Sequence, residues 1–258
     1  MDILLTNDDG IHAAGLCALH NVLKRRHRVT IVAPDRERSA VGHGITLQNP
    51  IRAVEVEVEG GGRGWAVSGT PADCVKLALW ELLDQRPDLV ISGINLGANV
   101  GVDLNYSGTV AAAREAALSG LEALAVSLRY DQNPSFSTAA KFVARLVSKV
   151  KDHGLPKGVF LNINVPGAIG GHATPVCISR QSGRNYDASF DKRNDLRGQA
   201  YYWQGGEDPP LYGESDTDRA VLAANRISIT PVRCDMTAYK TIRNYSEHFI
   251  FGPSGLSI

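Results

Sequence analysis

The sequence predicts an α/β protein with a mostly parallel sheet, flanking helices, an inserted hairpin and a projecting arm toward the C-terminus. Three observations predict it. Short apolar runs recur at Ile3–Thr6, Val29–Ala33, Asp88–Ser92, Leu124–Leu128 and Val159–Val165. Stretches of ten or more residues with helical periodicity lie between several of them. The runs are close to continuously apolar rather than alternating, as in parallel strands covered on both faces.

Taken in order, Ile3–Thr6 is a strand that ends in the turn Asn7-Asp8-Asp9-Gly10. A helix follows over Ala14–Arg26, with Leu16, Leu19, His20 and Leu23 on one stripe. Val29–Ala33 is a strand stopped by Pro34. Val54, Val56 and Val58 then alternate with Glu55, Glu57 and Glu59, a strand with one wet face. Gly60–Gly64 turns the chain into Trp65–Ser68, which makes a hairpin inserted into the core. Thr70 as N-cap, Pro71 at the first helical position and Asp73 in the first turn open a helix over Cys74–Leu83. After the strand Asp88–Ser92 come an Ala-rich helix, Val110–Leu118, and the strand Leu124–Leu128. Thr138–Val150 is helical through Phe142, Val143, Leu146 and Val147, and Pro166 ends the strand Val159–Val165. Arg180–Asp218 is rich in Gly, Asp, Pro, Arg and Tyr and carries Tyr201-Tyr202-Trp203, as an arm would. Arg226–Thr230 returns as a strand.

Composition narrows the function. Lys and Arg balance Asp and Glu at 27 each, so no global field draws in nucleic acid or an anionic membrane. The four cysteines are scattered without a C-x-x-C pair, which fits reduced thiols in a cytosol. Asp2 stands where a signal peptide is basic, and no run approaches the length of a membrane span. The expectation is a cytoplasmic protein with no nucleic-acid or membrane partner. There is no H-x-x-x-H pair, no G-x-S-x-G elbow, and no G-x-G-x-x-G after the first strand. Zinc, serine-hydrolase and dinucleotide chemistries are correspondingly weakened.

In an open α/β sheet, ligands bind outside the carboxyl ends of the strands, and the polar turns fall there. Asp8 and Asp9 are side by side after the first strand, and a turn needs only one carboxylate. Two together suit a hard divalent cation. After the second strand, Pro34–Gly42 offers the Ser39 hydroxyl, with Arg36 or Arg38 able to meet a phosphate. The Gly-rich loop Ser92–Gly101 offers the Asn95 amide oxygen. Ser107-Gly108-Thr109 opens the Ala-rich helix; Ser107 or Thr109 can cap it, and its N-terminal amides form an anion nest. His43 is a loop histidine or a mobile acid. Together these residues describe a cation held by Asp8, Asp9, Ser39 and Asn95, with open positions for water and a phosphoryl oxygen. Ser107, Gly108 and Thr109 would hold the rest of the phosphate.

The segments Ile3–Gly10, Pro34–Ser39, Gly69–Val75, Ser92–Asn95, Tyr106–Val110 and Ser228–Pro231 closely resemble, in order and spacing, the SurE family of survival-protein nucleotidases. Gln181–Gly213 is the least similar stretch. The resemblance implies a Rossmann-like catalytic core over 1–180, with 181–258 as an arm and C-terminal segment used in oligomerisation. It implies a phosphatase acting on nucleoside 5′-monophosphates, in some members on 3′-nucleotides or short polyphosphate. It further implies one Mg²⁺ or Mn²⁺ per subunit on Asp8, Asp9, Ser39 and Asn95. Ser107, Gly108 and Thr109 would line the phosphate site, in a homodimer or homotetramer. A non-catalytic nucleotide sensor would use the same rim, but has little need of paired carboxylates.

Overall fold

The elements of the computed structural model, from the N-terminus, are β1 (Asp2–Thr6), α1 (Ala14–Leu23), β2 (Arg28–Pro34), β3 (Ala53–Glu57), β4 (Arg63–Val67), α2 (Pro71–Leu77), β5 (Leu89–Leu96), α3 (Gly108–Leu118), β6 (Glu122–Leu128), α4 (Phe136–His153), β7 (Val159–Val165), β8 (Val176–Ile178), β9 (Asp187–Asn194), β10 (Ala200–Glu207), α5 (Asp218–Ala223), β11 (Ile227–Arg233) and α6 (Tyr239–His248). The structure describes residues 1–131, 134–167, 174–183, 187–207 and 214–248. Parts of the expected arm, 184–186 and 208–213, and the end of the C-terminal segment, 249–258, lie outside the described residues.

Nine strands form one sheet in the order β3-β4-β2-β1-β5-β6-β7-β11-β8. The central pairs are parallel, as continuous apolar strands require; β3 runs antiparallel to β4, and β11 antiparallel to β7. Alternation sorts the strand side chains into two cores. Ile3 and Leu5 of β1 pack with Leu16, Leu19 and Leu23 of α1 and with Val143 and Val147 of α4. Leu4 faces the other way, toward Val75 of α2 and Val110, Ala113 and Ala117 of α3. Burying each such leucine is worth about 2 kcal/mol. The small side chains of α3 let that helix lie close on the sheet.

Some boundaries differ from expectation for local reasons. The expected inserted hairpin is present, and β4 pairs in parallel with β2 from Ile31↔Gly64 to Pro34↔Val67, so the hairpin extends the sheet. The expected capping of α2 is found: the Thr70 hydroxyl accepts from the Asp73 amide, and the Asp73 carboxylate takes the Thr70 amide. That helix starts at Pro71 and passes after Leu77 into a π-helical turn, Ala78–Leu82. In the arm, β9 and β10 form an antiparallel hairpin exposing Phe190, Tyr202 and Trp203. No helix among the described residues is long and apolar enough to cross a membrane.

The chain leaves β1 to form β2 on one side and later returns to place β5 on the other. This reversal opens a crevice at the carboxyl ends of β1 and β5, the usual ligand position in such sheets.

Candidate active site

The turn after β1 is locked by its own side chain. The Asn7 side chain donates to the Gly10 carbonyl at 2.8 Å and accepts from the Gly10 amide at 3.2 Å. Gly10 has φ +104°, which favours glycine, and a Cβ there would also crowd the Arg36 carbonyl carbon at 3.2 Å. The turn projects Asp8 and Asp9 past the strand end. Asp8 is only 5% exposed, and its carbonyl accepts from the Arg38 amide at 2.7 Å.

Helix α3 meets this turn with its N-terminus. Ser107 caps it, accepting from the Val110 amide at 3.2 Å. The Thr109 hydroxyl donates to Asp8 Oδ1 at 2.5 Å. Gly108 lies so close that a Cβ there would stand 2.7 Å from Asp8 Cβ. The positive end of the helix dipole therefore bears directly on a buried carboxylate.

The loop after β2 and the end of β5, which runs to Leu96 and not to Ser92 as expected and so includes Asn95, complete the rim. The Ser39 hydroxyl donates to Glu37 Oε1 at 2.6 Å, which leaves its lone pairs to the cavity. Asn95, which lines the cavity, donates its amide nitrogen to the Gly97 carbonyl at 2.8 Å, so its amide oxygen is the group left to act as a ligand. The Gly-rich loop is fixed from beneath. Asn99 donates its amide to Asn164 Oδ1 and its side-chain nitrogen to Ser127 Oγ, each at 2.8 Å. Its carbonyl accepts from Asn162 and Asn164, each at 2.9 Å.

These groups surround a cavity of about 780 Å³, within the range of small-molecule sites. Four carboxylates line it: Asp8, Asp9, Glu37 and Asp103. Among the described residues, no Lys, Arg or His lines it. Burial pushes the Asp8 carboxyl up, against the Thr109 hydroxyl and amide that favour its charged form. Asp9 is pushed up to about 7, by burial first and then by the charges of Asp8 and Glu37. Among the described residues no cluster of three or more His, Cys, Asp and Glu is placed to hold a metal; a cation held here would need neutral oxygens as well. Two carboxylates held against their own repulsion, a hydroxyl and an inward amide oxygen form an all-oxygen set that fits Mg²⁺ or Mn²⁺.

The structure thus brings Asp8, Asp9, Ser39, Asn95 and Ser107 to one cavity. Gly108 and Thr109 sit behind them, against Asp8. Arg36 and Arg38 do not line the cavity; Arg38 Nη2 donates to the Ser68 carbonyl at 2.7 Å. His43 also lies off the cavity and pairs with Glu115 at 2.9 Å. Glu37, Asp103, Tyr106 and the arm residues Gln204 and Gly205 line the site without having been marked by the sequence as site residues. The acidity of Glu37 beside Ser39 was a usable signal; nothing local marks Gln204.

Comparison with known proteins places the chain in a family. A family model described as Survival protein SurE matches residues 3–188. The 5′-nucleotidase SurE of Desulfatibacillum aliphaticivorans is 54% identical over 248 residues, covering 96% of this chain and 98% of the relative. The 5′-nucleotidase SurE of Moorella thermoacetica is 49% identical over 252 residues, covering 97% of each. The crystal structure of the SurE protein from Aquifex aeolicus matches with a TM-score of 0.84 at 35% identity, covering 96% of this chain and 99% of that one. With the family model and full-length relatives in agreement, the chain belongs to the SurE family.

Proposed function

We propose that the chain is a divalent-metal-dependent phosphomonoesterase that hydrolyses nucleoside 5′-monophosphates to nucleoside and inorganic phosphate, with 3′-nucleotides and short polyphosphate as further substrates. One observation carries the reading: the cavity is lined by four carboxylates and, among the described residues, by no cationic side chain. A phosphate ester is itself an anion, so such a cavity accepts one only with a cation between them. The full-length relatives named 5′-nucleotidase SurE support the substrate class.

In this reading Asp8 and Asp9 hold one Mg²⁺ or Mn²⁺, with Ser39 and Asn95 giving neutral oxygens. A divalent cation so bound supplies Lewis acidity toward a phosphoryl oxygen and makes water a better nucleophile near neutral pH. Thr109 and Gly108 fix the angle of Asp8, and a carboxylate spent on the cation is a poor nucleophile, so in this reading Asp8 serves as a ligand and not as the attacking group. Ser107 and the positive end of the α3 dipole would favour negative charge on the phosphoryl oxygens, while the Thr109 and Val110 amides are already taken by Asp8 and Ser107. Leu96, Ala98 and Tyr106 give the cavity an apolar side suited to a nucleoside.

Two further parts belong to the same proposal. Residues 1–180 act as the catalytic core and 181–258 as arm and oligomerisation segment, in a homodimer or homotetramer. The exposed Phe190, Tyr202 and Trp203 of the arm and Tyr239 and Ile242 of α6 support this. A cytoplasmic setting is supported by four free thiols.

The test is phosphate release from a panel of 5′- and 3′-nucleoside monophosphates with Mg²⁺, with Mn²⁺ and with chelator. The expected result is release from 5′-monophosphates that chelator abolishes. Release indifferent to chelator, or none with either metal, overturns the reading.

A further inference from the structure

The loop that carries Ser39 is anchored by side chains outside the cavity. Two backbone hydrogen bonds bracket its exposed part: the Arg38 amide to the Asp8 carbonyl at 2.7 Å, and the Gly42 amide to the Tyr106 carbonyl at 2.9 Å. Between them Ala40 has φ +55°, a conformation that L residues rarely adopt and that neighbours must hold in place. The next residue along, His43, provides such a hold. Its Nε2 lies 2.9 Å from Glu115 Oε2. Glu115 is 8% exposed, and its other oxygen accepts from Lys76 Nζ at 3.2 Å. Hydrogen bonding to His43, ahead of the Lys76 contact, keeps the Glu115 carboxyl below its ordinary range despite burial. Beyond His43, the Thr70 hydroxyl donates to the Gly44 carbonyl at 2.8 Å.

The position of Glu115 gives this contact its meaning. It lies seven residues, two helical turns, after Gly108 on α3, so both fall on one face. One end of that face seats Asp8; the other holds the Ser39 loop. A single rigid helix therefore sets the spacing between two groups that sit on different loops.

We propose that Glu115, acting through His43, is a positioning residue that fixes the Ser39 loop relative to the Asp8–Asp9 turn and so sets the affinity of the site for its cation. This rests on the metal reading above. Lys76 contributes charge to Glu115 but does not touch the loop.

The test is equilibrium Mn²⁺ binding to the full chain, followed by calorimetry and by the loss of the free-ion paramagnetic resonance signal, beside thermal unfolding. His43→Ala is expected to weaken Mn²⁺ binding about tenfold, the scale of one charge-assisted hydrogen bond. Its unfolding midpoint should stay within about 3 °C of wild type. His43→Gln, which keeps a donor, should recover most of the affinity, and Lys76→Ala should keep all of it. Phosphate release by His43→Ala should approach the wild-type rate at saturating Mn²⁺ while needing more Mn²⁺ to get there. Unchanged binding by His43→Ala overturns the proposal. So does an equal loss in Lys76→Ala, or a loss accompanied by a collapsed midpoint. Absence of Mn²⁺ binding by the wild-type chain overturns the metal reading itself, and is distinguished by appearing before any substitution.

Discussion

The two ends of β1 both carry acidic residues, under opposite conditions. At the N-terminal end Asp2 meets Arg28 through two hydrogen bonds, Nε to Oδ1 at 2.7 Å and Nη2 to Oδ2 at 2.5 Å. The Asp2 amide donates to Asp88 at 2.7 Å. The Asp2 and Arg28 charges are paired there, in solvent, where such pairs contribute little. At the C-terminal end Asp8 and Asp9 share a cavity with Glu37 and Asp103, and among the described residues no cationic side chain lines that cavity. The cost appears in the carboxyls themselves, with Asp9 raised to about 7. Acid content alone does not separate the two ends; charge balance does. An arrangement that works against the apo fold is expected where function uses it.

The comparison breaks most sharply at Asp8. Asp8→Asn should lower phosphate release by about 10³-fold or more, because it removes a charged ligand from the reacting centre. The far-ultraviolet circular dichroism should be unchanged, and near-normal turnover would return the acidic end to the status of a turn. Next is Gly108→Ala, whose Cβ would stand 2.7 Å from Asp8 Cβ. Either the helix or the turn must shift, so activity should fall about 10- to 100-fold and stability by about 1–3 kcal/mol in denaturant unfolding. Thr109→Val removes the donor on Asp8 Oδ1 and should weaken Mn²⁺ binding about tenfold, read by calorimetry.

The pH response sharpens the contrast further. Aspartate titrates near 3.9 in an unfolded chain, and Asp9 near 7 in this fold. Between those values the native state binds the extra proton, so the metal-free protein loses stability as pH rises from about 4 through about 7. Its unfolding midpoint in chelator should be lower at pH 8 than at pH 5.5, and Asp9→Asn should flatten that difference. The same proton competes with the cation, so Mn²⁺ affinity should fall about tenfold for each pH unit below about 7. At the small end of the scale, Arg28→Ala should leave phosphate release at the wild-type level, because the charges it unpairs are solvated.

What the sequence disclosed follows the range of the interactions. The strands β1, β2, β5, β6 and β7 are legible because burial on both faces writes itself as continuous apolar runs. The Thr70–Asp73 cap and the Ser107 cap are legible because their bonds span three residues. Asp8, Asp9 and Ser39 stand out because each follows a strand end, and Asn95 because it lies in the Gly-rich stretch where β5, longer than the expected strand, runs out; parallel strands bring those ends to one rim. What was hidden depends on distant partners. Thr109 reaches Asp8 across 101 residues, and the Asn99 network joins loop to strand across 63 and 65. The glycine at position 15 is required because a Cβ there would lie 1.9 Å from the Ile94 carbonyl oxygen, a contact between α1 and β5 that no local pattern encodes. Strand β8 has three residues and no periodicity to read, and β4 looks like half of a separate hairpin until β2 is placed beside it.

The most direct measurement is equilibrium Mn²⁺ binding to the wild-type chain, Asp8→Asn, Asp9→Asn and Arg28→Ala, side by side at pH 8. The account predicts a single ion per chain for wild type and Arg28→Ala, and loss of binding in both aspartate variants. No binding by the wild-type chain, or binding that survives Asp8→Asn undiminished, would contradict it.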